Sequence, residues 1–269
     1  MARANPLAFL VAAGLLIGLG NREVRRFERD AAKEILSKLS GPEAKVTVRA
    51  HLNGLVAGPL GDLRQVVIRA SNFTTEGMPL FTEPERSKKG FIRELRIELD
   101  DFELAGLRIA HLEASIPDCR FDYALAVGKR VMRLSRSGLG TGTVRVRQDD
   151  LGAYILRKFP EIKNVRVRIE KDRAFVEGSG EFLIVKTNFY MIARLEPRNG
   201  VELVLTDAHV FFDGLSADEE SKRVLLKTLN PVIDLDKDLH LFGAIHIEGL
   251  MLEEGLLEAW GGTRIPDRP

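Results

Sequence analysis

From Val46 onward the chain alternates with a period of two, and that alternation constrains the fold more than any other feature. Val46, Val48, Ala50 and Leu52 are interleaved with Thr47, Arg49, His51 and Asn53, and Val66, Ile68 and Ala70 with Val67 and Arg69. Leu95, Ile97 and Leu99 alternate with Glu94, Arg96, Glu98 and Asp100, and Phe121, Tyr123, Leu125 and Val127 with Asp122, Ala124 and Ala126. Val165, Val167 and Ile169 alternate with Arg166, Arg168 and Glu170. Neighbouring residues of a strand point to opposite faces, so each run predicts a strand with one face in a core and one in water. Phe182 to Leu195 is apolar in both phases, which predicts a strand covered on both sides. Lys171-Asp172 and Pro197 to Gly200 predict turns, Val201 to Val210 a strand, and Leu239 to Leu252 the closing strand.

Three segments change to a helical period. Val24, Phe27, Ala31, Ile35 and Leu39 recur at three or four residues between charged positions, and Ser40-Gly41-Pro42 ends that helix. A second helix is predicted over Asp149 to Phe159, with Leu151, Tyr154, Ile155 and Phe159 on one side and Pro160 after it. A third is predicted over Ser216 to Leu229, opened by a capping box of Ser216 and Glu219. Asn72 to Gly90, with two prolines and a charge cluster, predicts a long loop. Strands joined by short turns with helices at intervals predict an α+β fold: a long curled antiparallel sheet packed on a few amphipathic helices. Both halves of the chain run helix, break, basic strand. Asp30, Ile35, Leu36 and Lys38 are matched by Asp150, Ile155, Leu156 and Lys158, so an internal repeat of 21–140 and 141–260 stands beside chance similarity of two amphipathic helices.

The run Leu7 to Leu19 carries no charge, and Arg22, Arg25, Arg26 and Arg29 follow it. Its length suits a signal peptide and falls short of the ~20 residues that span a bilayer comfortably. Residues 1–20 are therefore expected to be a signal peptide or a short membrane anchor, and 21–269 a single domain outside the cytoplasm. In the uncleaved alternative the arginines beyond the run would place the body on the cytoplasmic side.

Lys plus Arg of 40 against Asp plus Glu of 39 leaves +1, which supplies no field for gathering a nucleic acid. The single cysteine, Cys119, excludes an internal disulfide framework. Among His51, His111, His209, His240 and His246 no pair stands at i, i+4. His240 and His246 could share a face of the closing strand, but no third metal ligand accompanies them. Gly138 to Gly142 precedes a strand where a phosphate loop would need a helix, and Gly178-Ser179-Gly180 lacks the spacing of a nucleophile elbow. Asp100-Asp101 suits a turn and Asp149-Asp150 a helix N-terminus. The expectation is a protein without catalytic residues, cofactor or metal. Lipid binding fits such a surface, because ~0.8 kcal/mol per buried methylene makes an apolar groove sufficient. The alternative on the residues alone is that these side chains simply fill one another's space.

Asp149 to Leu156, Val165-Arg166-Val167, Phe175 to Gly178 and Asn230-Pro231-Val232-Ile233-Asp234-Leu235 occur in that order. Over roughly Arg22 to Glu254 this pattern resembles the LmeA family of bacterial envelope phospholipid-binding proteins, its best motif being the Asn-Pro-x-x-Asp-Leu turn. The resemblance implies an exported or tethered protein of the periplasm or cell envelope, related in shape to tubular lipid-binding domains, with phospholipid and a membrane surface as partners. Acyl chains are then expected between the sheet face of Leu95, Ile97, Leu99, Phe121, Tyr123 and Leu125 and the helix residues Leu151, Ile155 and Phe159. The alternative is a structural or assembly protein of the envelope with a filled core and no lipid cargo. The charged Asn72 to Gly90 loop departs from the family pattern at the groove entrance. Protein partners, oligomeric state and the identity of the lipid are not legible in the sequence.

Overall fold

The axis of the fold is a hairpin of two long strands, β4 (Gly90–Leu104) and β5 (Leu107–Phe121). Ala105 and Gly106 join them with φ of 45° and 89°, the positive values that a two-residue hairpin turn matched to strand twist requires. A computed structural model describes residues 22, 24–54, 61–77, 89–129, 131, 133–182 and 185–265. The apolar run Leu7 to Leu19 and most of the Asn72 to Gly90 loop lie outside them.

Around the hairpin the chain forms an α+β architecture. Helix α1 (residues 24–36) leads into β1 (Lys45–Leu52) and β2 (Asp62–Ser71), followed by the short β3 (Thr74–Thr75). After the hairpin come α2 (Tyr123–Gly128), β6 (Leu134–Arg136), β7 (Gly140–Arg147) and α3 (Gln148–Lys158). Next are β8 (Ile162–Glu170), β9 (Arg173–Phe182), β10 (Val185–Arg198), β11 (Glu202–Phe212) and β12 (Leu215–Ser216). Finally α4 (Glu219–Leu229), β13 (Ile233–Asp234), β14 (Ile245–Glu253) and β15 (Leu256–Thr263) close the chain.

The strands divide into two sheets. The larger runs β1-β2-β4-β5-β7-β15-β14, with β3 on β4 and β6 on β5. The smaller runs β12-β11-β10-β9-β8, with β13 on β11. All neighbours are antiparallel except β2 and β3, which lie parallel to β4. A parallel pair cannot be closed by a tight turn, and this accounts for the length of the Asn72 to Gly90 connection.

The larger sheet curls because its long strands change phase together. The inward side chains of β4 are Ile92, then Leu95, Ile97 and Leu99, then Phe102 and Leu104, so strict alternation lapses twice. Pairing with β5 lapses at the same places, opposite Asp118 and at Asp101, whose φ values are 54° and 45°. Aspartate visits the left-handed region more readily than most residues, and two such bends turn a flat ladder into a trough.

Two apolar clusters fill the trough and the space beneath the smaller sheet. The larger joins both sheets through α3 and α4, with Phe102, Leu151, Ile155, Ile169, Met191, Leu225 and Leu257 buried in it. The smaller lies under α1, where Val24, Phe27, Ala31 and Ile35 meet Val66, Ile92, Leu95, Cys119 and Phe121. Helix α1 is held there by Glu34, 2.7 Å from the Arg133 guanidinium, and by Glu28, whose Oε1 accepts the Ala50 N–H at 2.9 Å.

Several sequence expectations are corrected. The alternation of Phe121 to Val127 belongs to a strand only as far as Phe121. The Asp122 carboxylate accepts the Leu125 N–H at 3.0 Å and starts α2, so local capping overrides an apparent period of two. Helix α4 is capped by Asp218, which accepts the Ser221 N–H at 2.8 Å, while Ser216 of β12 pairs with Phe211 of β11. Strand β10 is covered on one side only: Met191, Ala193 and Leu195 are buried, whereas Tyr190 and Ile192 are half-buried. The segment expected as one closing strand from Leu239 becomes a strand only at Ile245, which leaves His240 outside it, and β15 follows as a further strand.

Candidate functional site

The concave face of the larger sheet has a floor of small residues. Ile97 stands opposite Ala114, Ala114 opposite Gly142, Gly142 opposite Gly261, and Gly261 opposite Ile247. One cross-strand row therefore descends from isoleucine to three residues with little or no side chain and rises to isoleucine again. The next row is Leu99, Leu112, Val144, Ala259 and Leu250. Gly261 is also required by the backbone: a Cβ there would lie 2.0 Å from the His246 carbonyl oxygen, beside the irregular pairing between Ile247 and Gly249.

Over this floor lies an apolar hollow of about 70 Å³. Ile97, Leu112, Ile116, Val144 and Ile247 form its sides, and Leu241, Ala244 and Ile265 its roof. It sits where the two clusters meet, since Leu112 and Ala259 belong to the larger and Ile116 and Ile265 to the one under α1.

The roof is pinned by polar contacts that begin at the Asn-Pro-x-x-Asp-Leu motif. The Asn230 side chain accepts the Leu205 N–H at 2.8 Å and donates to the Leu205 carbonyl at 3.0 Å, and the Asn230-Pro231 bond is cis. Lys158 of α3 donates to the carbonyls of Pro231 and Val232 at 2.9 and 3.2 Å and to the Asp238 carboxylate. Asp238 in turn accepts the Asp234 N–H at 2.7 Å.

Asp234 itself is 4% exposed. Its Oδ1 accepts the N–H groups of Asp236 and Lys237 at 3.1 and 3.0 Å, and Lys237 Nζ lies 3.1 Å from Oδ2. Burial opposes its charge, but these donors, led by the Lys237 N–H, hold its pKa below the usual carboxylate range. Beyond the motif, Gly243 N–H donates to Asp236 at 2.8 Å, Arg264 N–H to the Ala244 carbonyl at 2.9 Å and Ile265 N–H to Ser137 Oγ at 2.9 Å. His240 Nδ1 lies 2.9 Å from the Glu76 carbonyl oxygen. The motif is thus a structural clasp whose product is a roof lying on the floor.

The nine residues expected to contact acyl chains are distributed over both clusters. Leu99, Leu151, Ile155 and Phe159 are buried together in the larger one, where Leu151, Ile155 and Phe159 border a void of only about 20 Å³. Leu95 and Phe121 are buried under α1 with Tyr123 packed against them, and Leu125 is half-buried on α2. Ile97 touches both clusters and alone of the nine lines the hollow. Ala114, Gly142, Gly261, Ile247, Leu241 and Ala244 had no such expectation attached. Glycine and alanine carry no hydrophobic period, and the sequence signals were the glycines of Gly138 to Gly142 and the Gly261-Gly262 pair.

A larger cleft, about 780 Å³ and open to solvent, runs between α3 and the smaller sheet. Asp149, Asn164, Arg166, Glu177, Ser179 and Asp213 line it together with Val165, Val167, Phe189 and Tyr190, so its wall is more polar than apolar. No group of three or more His, Cys, Asp and Glu residues among the described residues could hold a metal ion. No helix among them is long and apolar enough to cross a membrane.

Residues 88–258, more than half of the chain, match the profile of a family described as LmeA-like phospholipid-binding. No curated protein and no solved structure matches the chain significantly.

Proposed function

The chain belongs to the LmeA-like phospholipid-binding family, and we propose that it binds phospholipid without catalysis, by admitting an acyl chain between the small-residue floor and the roof. The observation that carries this reading is the row Ile97, Ala114, Gly142, Gly261, Ile247, five cross-strand neighbours none of which carries a polar side chain. Leu95 and Leu99, two residues either side of Ile97 on the same strand, are buried in the smaller and the larger cluster respectively. A hollow of about 70 Å³ is well below the ~300 Å³ at which ligand pockets begin, so loading requires the roof to lift and Leu241 and Ala244 to give up their places to methylenes. At ~0.8 kcal/mol per buried methylene, a sixteen-carbon chain has on the order of 12 kcal/mol available to offset that opening.

In this reading 21–269 is one lipid-binding unit behind a signal peptide or short anchor at 1–20, acting outside the cytoplasm in lipid transport or envelope maintenance. The second reading is an envelope structural or assembly protein with a filled core, and the small hollows of about 70 and 20 Å³ favour it.

Native mass spectrometry of the purified protein separates the two readings. Phospholipid adducts are expected, and the substitution Ala114→Leu, which fills the floor beside Gly142, is expected to remove them while the fold is kept. A protein that takes up no phospholipid from vesicles sinks the lipid reading and leaves the filled-core one.

A further inference from the structure

The outward side of α1 presents Arg25, Arg26 and Arg29, with Arg22 just before it, spaced three and four residues apart and therefore on one face. Arg49 of β1 stands beside them, and the five border an open hollow of about 710 Å³. Glu28 is the one acid among the residues lining it. Its Oε1 already accepts the Ala50 N–H, and its Oε2 lies 3.6 Å from Arg49. Five guanidinium groups and one carboxylate are thus gathered on one face of a chain whose net charge is only +1.

Guanidinium forks suit phosphate oxygens, and a two-dimensional array of them suits a surface of phosphates better than a single anion. The surface can be narrowed further. In sequence the first arginine follows the uncharged run Leu7 to Leu19 by three residues. The apolar side of α1 is committed to the fold through Phe27, Ala31 and Ile35, which leaves only Leu36 at its far end, 40% exposed, and no continuous apolar face to insert. We propose that the arginine face of α1, completed by Arg49, docks the protein electrostatically on an anionic phospholipid bilayer. The cluster beneath α1 shares Ile116 and Ile265 with the lining of the apolar hollow. Docking on this face therefore brings one end of the hollow to within one helix and one side-chain layer of the membrane. The proposal does not depend on an acyl chain entering the hollow.

The full chain is tested by co-sedimentation with vesicles of phosphatidylcholine alone and of phosphatidylcholine with about 30% phosphatidylglycerol, at low salt and at about 0.5 M salt. The readout is the ratio of anionic to neutral binding, because the Leu7 to Leu19 run contributes to both. A strong anionic preference that collapses at high salt is expected. The combined variant Arg22→Gln, Arg25→Gln, Arg29→Gln and Arg49→Gln is expected to lose about five-fold of that preference per arginine, and the matching lysine variant to keep most of it. An anionic preference unchanged in the glutamine variant overturns the proposal, as does binding to soluble polyglutamate as tight as to vesicles, which would give the face to an acidic protein. Phospholipid adducts measured by native mass spectrometry should be the same in the glutamine variant and the parent protein, so failure of docking and failure of acyl binding are read separately.

Discussion

Asn230 holds the backbone of Leu205 from both sides, accepting its N–H at 2.8 Å and donating to its carbonyl at 3.0 Å. The side chain imitates a strand neighbour of β11 at the point where the chain leaves α4 for the roof. Asn230→Ala removes both bonds and leaves the Leu205 groups without this partner, a cost of about 1–3 kcal/mol. Thermal unfolding should shift down by several degrees, and Asn230→Asp should recover less than half of the loss, because it keeps the acceptor and not the donor. An unchanged melting temperature in Asn230→Ala would remove the clasp from the account of how the roof is held.

Asp234 predicts a pH dependence. Burial raises its pKa, but the Lys237 and Asp236 N–H groups and the Lys237 ammonium outweigh burial and lower it. A carboxyl that ionises more readily when folded binds fewer protons in the native state than in the unfolded one, so stability rises with pH across the interval between the two pKa values. The contribution is complete above the unfolded value of about 3.9 and is lost as pH falls through the lower folded value. Urea unfolding midpoints should be level near neutrality and fall below about pH 4. Asp234→Asn should be less stable at pH 7 and show a shallower fall on acidification. Glu94 and Asp218 are also held low, by the Gln65 side chain and the Ser221 N–H respectively, and supply the acid limb that remains in that variant.

The strands and helices that the sequence made legible are those in which side-chain pattern and backbone agree. Helix α3 shows its apolar stripe because Leu151, Tyr154 and Ile155 all face the larger cluster. Strand β8 shows its period because Val167 and Ile169 are buried between exposed Arg166, Arg168 and Glu170. Legibility failed where backbone chemistry decided the outcome. The Asp122 cap turned an alternating run into α2, and left-handed Asp101 and Asp118 moved the inward face of the central hairpin by one residue. The family could be inferred from the Asn230 to Leu235 motif, yet that motif is a clasp, and the floor it leads to is made of glycine and alanine. An absence of side chain is invisible to a search for hydrophobic period, and cross-strand neighbours such as Ala114, Gly142 and Gly261 are distant in sequence.

Cys119 lies at 0% exposure with Ile116 and Pro117 carbonyls as its polar neighbours. Burial, and secondarily the Asp118 charge, push its thiol up to about 12, so essentially no thiolate is present at pH 8. A thiol reagent such as DTNB should modify it only as fast as the protein unfolds, and at once in denaturing urea. Asp118→Asn should leave the native protein just as unreactive, because burial is the larger cause. Rapid labelling of the native protein would mean that the α1 cluster opens on its own.

Leu241 gives the most direct reading of the roof. It is 2% exposed and lines the hollow together with Ala114, Gly142 and Gly261, so its side chain occupies space that an arriving acyl chain would need. Leu241→Ala deletes three carbons from a packed site, at a cost of about 2–5 kcal/mol in the lipid-free protein. The cavity it leaves adjoins the floor. A ligand that binds only the native state raises stability by RT ln(1 + [L]/Kd), and one that fills the new space binds the variant more tightly than the parent protein. The variant should therefore melt well below the parent without lipid and recover a larger share of its stability when a lysophospholipid is added, with the difference growing as the lipid concentration rises. If the lipid raises both melting temperatures equally, the acyl chain lies elsewhere and Leu241 is ordinary core. If it raises neither, no binding to the native state is detected at all, and the filled-core reading gains at the expense of the hollow.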